Sequence, residues 1–575
     1  MNKILKGLSV VSSLLLFANC SDMLDYYPES EMSDATYWKS ANDFKAASGA
    51  FYGDISHPWL HSDLDADILG FSFDSFTGGR MLGDIQVPQS GDWGTVYGKI
   101  RTVNFFLEKA AQYSKPEEIK QFVAEAHFFR AWHYYGLYQD YGGVPLVKRV
   151  LDVNSPELYA PRDTKEDTFK FILEEVEKSI ADLPLKREIA ASDEGRISRQ
   201  AAWALKARIC LFEATWRKYH SEGEYEALLD SAIVASDKVI STGDYEIFYR
   251  PDELGEESYK FLFSLENKQC NPGNLTKQDN KEYIFYRKYD DKNGRPGDRG
   301  TDKWQNPVRK FVDMFVCKNG LPITYGGQTN PQFKGYKESK TSELENRDLR
   351  LSTMLRRDGE ICYYDPNKGL YDNPNPPTTP YYNAITTGKA SGYVSDKFNT
   401  MRNINDNTEY CIDYPLIRYA EVLLIYAEAK IERYGSISNE DLNKSINELR
   451  KRAGVADLTN ELLAGTGLNM RDEIRRERAC ELYYEGFRLF DLKRWHIVKE
   501  AMTEDILGLY LAPDSPWYEQ LNKDGTLPLN EDGFHILTAK EKRKWEDHFD
   551  YEPIAYDQLK LNVNLKQNEG YPDGR

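Results

Sequence analysis

The chain has 575 residues, of which 41% are hydrophobic and 13% aromatic, and its formal net charge is −18 at pH 7. This length accommodates two or more domains or one large superhelical domain. Because an acidic surface repels phosphate backbones, we do not expect nucleic-acid binding. The large share of Tyr and Trp suits packing, and it also suits surfaces that stack on flat ligands such as sugar rings.

The N-terminus has the pattern of an export signal. Residues 1–6 are short and basic, and the apolar run at 8–18 has signal-peptide length but is too short to span a bilayer. This run ends with Ala18 two residues before Cys20, which makes it similar to a lipobox, the motif that precedes a lipidated cysteine. We therefore predict a signal peptide at 1–19. Plain secretion with an unrelated cysteine is the alternative.

Residues 20–34 are predicted to form a lipid anchor and a polar tether. Cleavage before Cys20 leaves this cysteine as a lipidated first residue. Ser21 and Asp22 follow it directly, and acidic residues at this place in related lipoproteins resemble a signal for export to the cell surface. We therefore expect a lipid-anchored protein that faces outward.

Apolar residues at helical spacing predict helices in most of the remaining chain. The stretch 124–146 (AEAHFFRAWHYYGLYQDYGGVPL) predicts a long buried helix, because Phe128 and Trp132 begin one apolar face. Gly142 can take the left-handed conformation that ends a helix, and Pro145 prevents the helix from resuming. The other predicted helices are 35–52 with Asp34 as its cap, 93–113, 163–183, 199–219, 225–241, 416–434, 441–453, 470–484 and 486–499.

Residues 53–92 lose this periodicity, and an irregular segment of this length is usually functional or disordered. Its aromatic residues argue against disorder. Five residues in it could suggest a metal site, namely His57, His61, Asp63, Asp65 and Asp67. However, Pro58 interrupts the histidine pair, and the glycine that a calcium loop of the EF-hand type requires is absent. We favour a solvated loop and predict no metal.

The cysteines do not form a C-x-x-C pair, so their spacing does not indicate zinc. Cys210 and Cys480 fall on helical patterns and are expected to be small core residues. Pairing stays open among Cys270, Cys317, Cys362 and Cys411.

The helices indicate a mainly α protein with a tetratricopeptide-like superhelix, because helix pairs combine small residues on one helix with larger apolar residues on the next. Between 245 and 410 the composition changes to Gly, Pro, Asn and Tyr, with brief strands expected at 261–265 and 283–286. We therefore predict an N-terminal helical part at 35–244, a loop-rich ligand-binding lobe at 245–410 with few short strands, and a C-terminal helical part at 411–575.

Five blocks in this order resemble the SusD/RagB family of outer-membrane nutrient-binding lipoproteins. They are YGGVPL at 141–146, YPLIRYAE at 414–421, LRKRAG at 449–454, the Arg- and Glu-rich stretch 474–495, and the tail at 553–571. The resemblance implies a surface protein of the outer membrane that binds oligosaccharide or polysaccharide and passes it to a SusC-like TonB-dependent transporter. It implies no enzymatic activity and no cofactor. Some relatives bind peptides, so a RagB-like peptide receptor is the alternative.

Aromatic residues in loops are the expected ligand contacts, because an aromatic residue away from any periodic face has less core to fill. Trp304 is the strongest choice, since GRPGDRGTDKW gives it no periodic partner. Local packing stays open as the alternative for each. The candidate ligand-binding residues are Trp59, Phe76, Arg80, Tyr283, Tyr289, Arg299, Trp304 and Tyr325.

A surface glycoside hydrolase is a second alternative, because paired carboxylates carry out glycoside hydrolysis. Glu421 and Glu428 share one helix face, and so do Glu481 and Glu485. These residues lie among arginines on predicted core helices. We therefore favour structural ion pairs and assign no catalytic residue.

Overall fold

The structure is a computed structural model that describes residues 37–55, 63, 66–71, 82–268, 270–290, 305–355, 363–365, 369–371, 391–398 and 411–574. This part of the chain is mainly α, with a tetratricopeptide-like helical arrangement and few short strands. The predicted fold class is therefore confirmed. The predicted signal peptide (1–19), Cys20 and the tether lie outside these residues. Within them, no helix is long and apolar enough to cross a membrane.

Within its described residues the N-terminal part has six α-helices, and α2 to α6 pack on one another in chain order. They are α1 (Ala41–Gly53), α2 (Trp93–Ala111), α3 (Lys120–Tyr141), α4 (Lys165–Asp182), α5 (Arg199–His220) and α6 (Glu226–Thr242). The predicted helix at 35–52 begins later, at Ala41, because Ser40 forms the cap. The Ser40 side chain accepts a hydrogen bond from the Asp43 amide, and the Asp43 carboxylate accepts one from the Ser40 amide at 2.7 Å.

Helix α3 lies at the centre of this part and contacts α1, α2 and α4. It ends where the sequence predicts, because Gly142 has a positive φ of 74° and donates a hydrogen bond from its amide to the Tyr138 carbonyl at 2.9 Å. The next residue, Gly143, passes so close to the start of α4 that a Cβ atom would lie 2.2 Å from the Asp163 carbonyl oxygen. The two glycines therefore serve different purposes, since one ends α3 and the other permits the close approach.

Shorter helices follow in the lobe and the C-terminal part. Those of the lobe are α7 (Pro251–Leu254), α8 (Ser258–Leu262), α9 (Arg309–Met314) and α10 (Leu349–Met354). Those of the C-terminal part are α11 (Tyr419–Tyr434), α12 (Asn439–Lys444), α13 (Ile446–Ala453), α14 (Asn460–Leu463), α15 (Met470–Leu482), α16 (Arg488–Arg494), α17 (Val498–Met502), α18 (Tyr518–Leu521) and α19 (Tyr556–Leu561).

Four predictions for these regions are wrong in detail. The predicted helix at 416–434 begins later, at Tyr419, because Tyr414–Arg418 forms a strand. The predicted helix at 441–453 is divided in two at Ser445, whose φ of −131° and ψ of −90° are not helical. The predicted helix at 486–499 is likewise divided into α16 and α17. The expected strand at 261–265 instead overlaps α8, whereas the strand expected at 283–286 is present.

Ten short strands form five antiparallel pairs among the described residues. They are β1 (Leu69–Phe71), β2 (Tyr283–Arg287), β3 (Gln305–Pro307), β4 (Thr324–Tyr325), β5 (Gln328–Thr329), β6 (Tyr363–Asp365), β7 (Gly369–Tyr371), β8 (Tyr414–Arg418), β9 (Ile506–Tyr510) and β10 (Phe534–Thr538). The pairs are β1 with β3, β2 with β8, β4 with β5, β6 with β7, and β9 with β10.

A buried network of ion pairs joins the lobe to the C-terminal helices. Arg418, at the end of β8, donates hydrogen bonds to Glu282 at 2.8 Å, to Glu481 at 2.6 Å and to Glu485 at 2.7 Å. Arg452 of α13 donates to Glu282 at 2.6 Å and also to Glu481. All five side chains are buried. The network therefore holds β2, β8, α13 and α15 in one arrangement.

The core also contains the two cysteines that the helical pattern placed there. Cys210 packs in an apolar cluster between α5, α6 and α11, and Cys480 packs in the cluster of the lobe. Both are fully or almost fully buried, at 0% and 2% exposure. This prediction is confirmed.

Replacing Arg418 with methionine is expected to lower the free energy of unfolding by about 3–5 kcal/mol, because it leaves buried carboxylates without their common partner. Urea unfolding followed by tryptophan fluorescence measures the change. Arg433→Met is the matched control, since Arg433 forms an ion pair with Asp230 at the surface. An equal loss of stability in both variants would contradict the importance assigned to the network.

Acid is expected to destabilise the protein. Although burial alone would raise the pKa of Glu428, Arg494 lowers it to about 2, and arginines around Glu481 lower the pKa of that carboxyl well below its usual value. These groups have pKa values near 4.3 in an unfolded chain. The stability that they contribute is therefore present above about pH 4.3 and is lost as the pH falls toward about 2.

Urea unfolding between about pH 5 and about pH 3 tests this expectation. The variant Glu428→Gln should be less stable than the unmodified protein at the upper pH, and its stability should fall less steeply with acid. The free energy of unfolding of Glu224→Gln, which replaces an exposed glutamate, should change with pH as it does in the unmodified protein. Parallel curves for all three proteins would show that Glu428 is not responsible.

Candidate functional site

An open cleft of about 580 Å³ lies where α1, the loop at 192–196 and the end of β2 meet. Its walls combine two half-buried tyrosine rings, Tyr52 and Tyr286, with acidic and basic side chains. The charged residues that line it are Asp193, Glu194, Arg196, Arg287, Lys288 and Asp290. A volume in this range is typical of small-molecule sites.

Two glycines of α1 line one side of this cleft. Gly49 and Gly53 lie one turn apart on α1, and a Cβ atom built on either would meet nothing within 4 Å. Tyr52 lies between them in the sequence and is half-buried, with its ring packed against Phe129. Its hydroxyl accepts a hydrogen bond from the Ile197 amide at 3.0 Å, which fixes the ring.

The charges of the cleft are held in place by partners behind it. The Arg196 guanidinium donates to Glu125 at 2.7 Å, to Ser48 at 3.0 Å and to the Lys45 carbonyl at 2.9 Å. It also lies over the Tyr52 ring, 5.7 Å from its centroid. Burial, and then the charge of Glu125, raise the pKa of Tyr52 well above its usual value, so its hydroxyl keeps its proton.

The cleft lies where two of the predicted ligand-binding segments begin. Ile55 lines it and is followed by the segment that carries Trp59. Asp290 also lines it and is followed by the segment 291–304. Ile55 and Asp290, which are far apart in sequence, therefore line the same cleft.

A small sheet joins the same parts of the chain at a second place. Strand β1 pairs with β3 in antiparallel register, with Leu69 opposite Pro307 and Phe71 opposite Gln305. Asp67, just before β1, accepts hydrogen bonds from Arg488 at 2.7 Å and forms an ion pair with Lys310 at 2.9 Å. Phe71, which precedes the segment 72–81 in the sequence, is therefore paired with Gln305, which follows the segment 291–304.

Two of the predicted ligand contacts are not open to a ligand as expected. Tyr283 is only 8% exposed, and its hydroxyl donates to the Leu262 carbonyl at 2.9 Å. Tyr289 is only 9% exposed, and its amide donates to Asp413 at 2.8 Å. The expectation of exposed rings was wrong because β2 pairs with β8 and the lobe packs over both residues.

The other candidates differ in what the structure describes. Tyr325 is half-buried beside the tight turn between β4 and β5, and it packs against the apolar cluster of α11, α13 and α15. Its role in binding stays a prediction. The remaining candidates lie outside the described residues, and their roles also stay predictions: Trp59, Phe76, Arg80, Arg299 and Trp304.

The expected solvated loop after His61 is wrong for its described acidic residues. Asp63 is buried and accepts hydrogen bonds from the amides of Gly486 at 3.0 Å and Arg488 at 2.8 Å. Asp67 is buried as well. Although burial alone would raise the pKa of Asp67, Arg488 and Lys310 hold it well below its usual range. Asp63 and Asp67 therefore attach the part of the chain before β1 to the start of α16.

The four glutamates that could suggest a glycosidase are all buried in ion pairs, as predicted. Glu421 is paired with Arg208 at 2.6 Å, and Glu428 with Arg494. Glu481 and Glu485 belong to the network around Arg418. Their oxygen atoms are used by arginine and lysine side chains, which is the arrangement of structural carboxylates.

Sequence reasoning did not find Tyr52, Tyr286, Arg287 or Lys288 as part of a site. The pair Gly49 and Gly53 was the available signal for Tyr52, because two glycines one turn apart leave a helix face bare. The position of Tyr286 depends on the pairing of β2 with β8, for which the local sequence carries no signal.

The chain was compared with families and known proteins. The model of the SusD family matches residues 265–571, and a second model, described as starch-binding and associating with the outer membrane, matches residues 79–211. A SusD-like protein of Formosa agariphila is 22% identical over 518 residues, which cover 86% of this chain and 91% of that protein. A SusD-like protein of Bacteroides ovatus is 22% identical over 510 residues, which cover 85% of this chain and 82% of that protein.

Solved structures show the same fold. A SusD-like protein of Bacteroides fragilis matches with a TM-score of 0.72 and 23% identity, covering 95% of this chain and all of that one. A second protein of that organism, described as a SusD-like carbohydrate-binding protein, matches with a TM-score of 0.70 and 24% identity, covering 92% of this chain and all of that one. Since the first family model spans more than half of the sequence, the chain belongs to the SusD family.

Proposed function

We propose that the protein is a cell-surface lipoprotein that captures oligosaccharide or polysaccharide and passes it to a SusC-like TonB-dependent transporter. Membership of the SusD family supports glycan binding, and the second family model supports an association with the outer membrane. We propose that Cys20 carries the lipid and that the folded part faces the cell exterior. The proposed activity is binding and delivery, and it requires no cofactor.

The cleft between α1 and β2 is the observation on which the assignment of the site depends. Half-buried tyrosine rings can stack against the apolar face of a sugar ring. Acidic and basic side chains beside them can bind its hydroxyl groups, directly or through water. We propose that Trp59, Phe76, Arg80, Arg299 and Trp304 contribute to this site, because the described residues next to their segments in the sequence line the cleft or form the sheet of β1 and β3.

Two alternatives predict different ligands. A RagB-like peptide receptor would bind peptides in the same cleft, where the mixed charges would suit backbone amides and termini. A surface glycoside hydrolase would release reducing ends from its substrate. The burial of Glu421, Glu428, Glu481 and Glu485 in ion pairs argues against the hydrolase.

Titration calorimetry of the purified protein against a panel of polysaccharides is expected to find at least one ligand. Trp304→Ala and Lys288→Ala should each weaken its binding about tenfold, because loss of one stacking ring or one charged hydrogen bond is worth about 1.4 kcal/mol. Tyr434→Ala is the matched control, since Tyr434 is an exposed aromatic residue at the end of α11, remote in sequence from the cleft.

Three outcomes would count against this assignment. If Trp304→Ala and Lys288→Ala bind the glycan as tightly as Tyr434→Ala does, the glycan binds elsewhere on the protein. Binding of peptides but of none of the polysaccharides would favour the RagB-like alternative. Release of reducing ends by the unmodified protein would favour the hydrolase.

Replacing Cys20 with alanine is expected to move the protein out of the outer-membrane fraction, because a thioether-linked lipid cannot form on alanine. Cell fractionation measures the distribution, and protease treatment of intact cells measures surface exposure. Cys210→Ala is the control, because Cys210 is buried in the core and should not affect localisation. Retention of the Cys20 variant in the membrane fraction would contradict the predicted anchor.

A further inference from the structure

Two histidines and one aspartate form a cluster that shares no residue with the cleft. His220 ends α5, His496 follows α16, and Asp550 ends the short 3-10 helix Asp547–Asp550 in the tail. One potential ligand atom from each side chain lies within 4.8 Å of the other two. The cluster therefore brings three distant parts of the chain together.

The tautomer of His220 is fixed by its surroundings. Its Nε2 atom lies 2.9 Å from the carbonyl oxygen of Lys493, which can only accept, so Nε2 carries the proton. Nδ1 is then left with a lone pair. The ring stacks on Trp216 with the ring centroids 4.2 Å apart and the planes 3° from parallel. An imidazole that donates one N–H to a backbone carbonyl and is held in orientation is the usual form of a metal-binding histidine.

Asp550 has an unusual environment for a carboxylate. Its side chain is only 7% exposed, and the Trp545 side chain faces it as a hydrogen-bond donor. The nearby Lys493 ammonium donates to the backbone carbonyl of Asp550, at 3.0 Å. A carboxylate has two oxygen atoms and accepts several partners, so Asp550 can bind a cation beside the Trp545 donor.

His496 supplies the exposed side of the cluster. It has a positive φ of 56°, which is uncommon for a residue other than glycine and is costly unless the surrounding structure maintains it. Its ring lies 4.4 Å from that of His220, measured between centroids. Since His496 is exposed, an ion can reach the cluster from solvent.

We propose that His220, His496 and Asp550 bind one divalent ion of the zinc class, with water as the remaining ligand. Two imidazoles and one carboxylate suit zinc and its first-row neighbours, whereas calcium and magnesium prefer sites made of oxygen atoms. The ligand atoms of a tetrahedral zinc ion lie about 3.3 Å apart. The three ligand atoms lie within 4.8 Å of one another, so binding of zinc requires them to approach by about 1.5 Å or less. The ion would connect the end of α5 to the C-terminal tail.

Zinc titration of the purified protein, first treated with a chelator and then dialysed, tests this proposal. Calorimetry should find one site per chain, and saturating zinc should raise the thermal unfolding temperature. Magnesium at the same concentration should leave that temperature unchanged. His496→Asn and Asp550→Asn should each weaken zinc binding at least about tenfold. Asparagine at 496 removes the imidazole and still tolerates a positive φ.

Asp547→Asn is the matched control, because Asp547 is an exposed acid in the same 3-10 helix and outside the cluster. It should bind zinc like the unmodified protein. Circular dichroism of the chelator-treated variants establishes that each is folded. Zinc affinity that is unchanged in both His496→Asn and Asp550→Asn, an equal loss in the Asp547 control, or the absence of saturable zinc binding would overturn the proposal. None of these outcomes bears on glycan binding.

Discussion

The fold depends on the buried ion-pair network around Arg418. This guanidinium contacts Glu282 before β2 and Glu481 and Glu485 on or after α15, so one side chain connects three segments that are distant in sequence. Arg350 of α10 extends the network by donating to Glu481 at 2.8 Å, and Lys397 extends it by donating to Glu485 at 2.7 Å. Burying charges is costly, and the cost is offset only where every charge has partners in good geometry. The network therefore favours one arrangement of lobe and helices over others.

Much of the fold could be predicted from sequence because long helices bury periodic faces. The end of α3 was predicted from Gly142 and Pro145, and the structure confirms it. The division of α12 from α13 at Ser445 could not be predicted, because the apolar period continues across it. The strand β8 was also missed, since Leu416 to Arg418 continue directly into α11 and were interpreted as its first turn. Only its pairing with β2 shows that its first residues are extended.

The candidate site could be predicted from the sequence only in part. Loop composition indicated the segments near 59 and 304, and the structure brings the boundaries of those segments to a common cleft and a common sheet. Tyr283 and Tyr289 were wrongly expected to be exposed, because their burial depends on β8, which is more than a hundred residues away in the sequence. Asp63 and Asp67 looked solvated for a related reason, since Arg488 lies still farther along the chain.

The pairing of β1 with β3 has a consequence for how such a protein can diversify. The three rungs between 69–71 and 305–307 fix the two strands against each other, and Asp67 fastens them to α16. Insertions or deletions in the adjoining segments leave these rungs and the helices unchanged, because only the connecting length varies. Ligand preference can thus evolve through the length and composition of the segments that follow Phe71 and precede Gln305, while the paired strands stay constant.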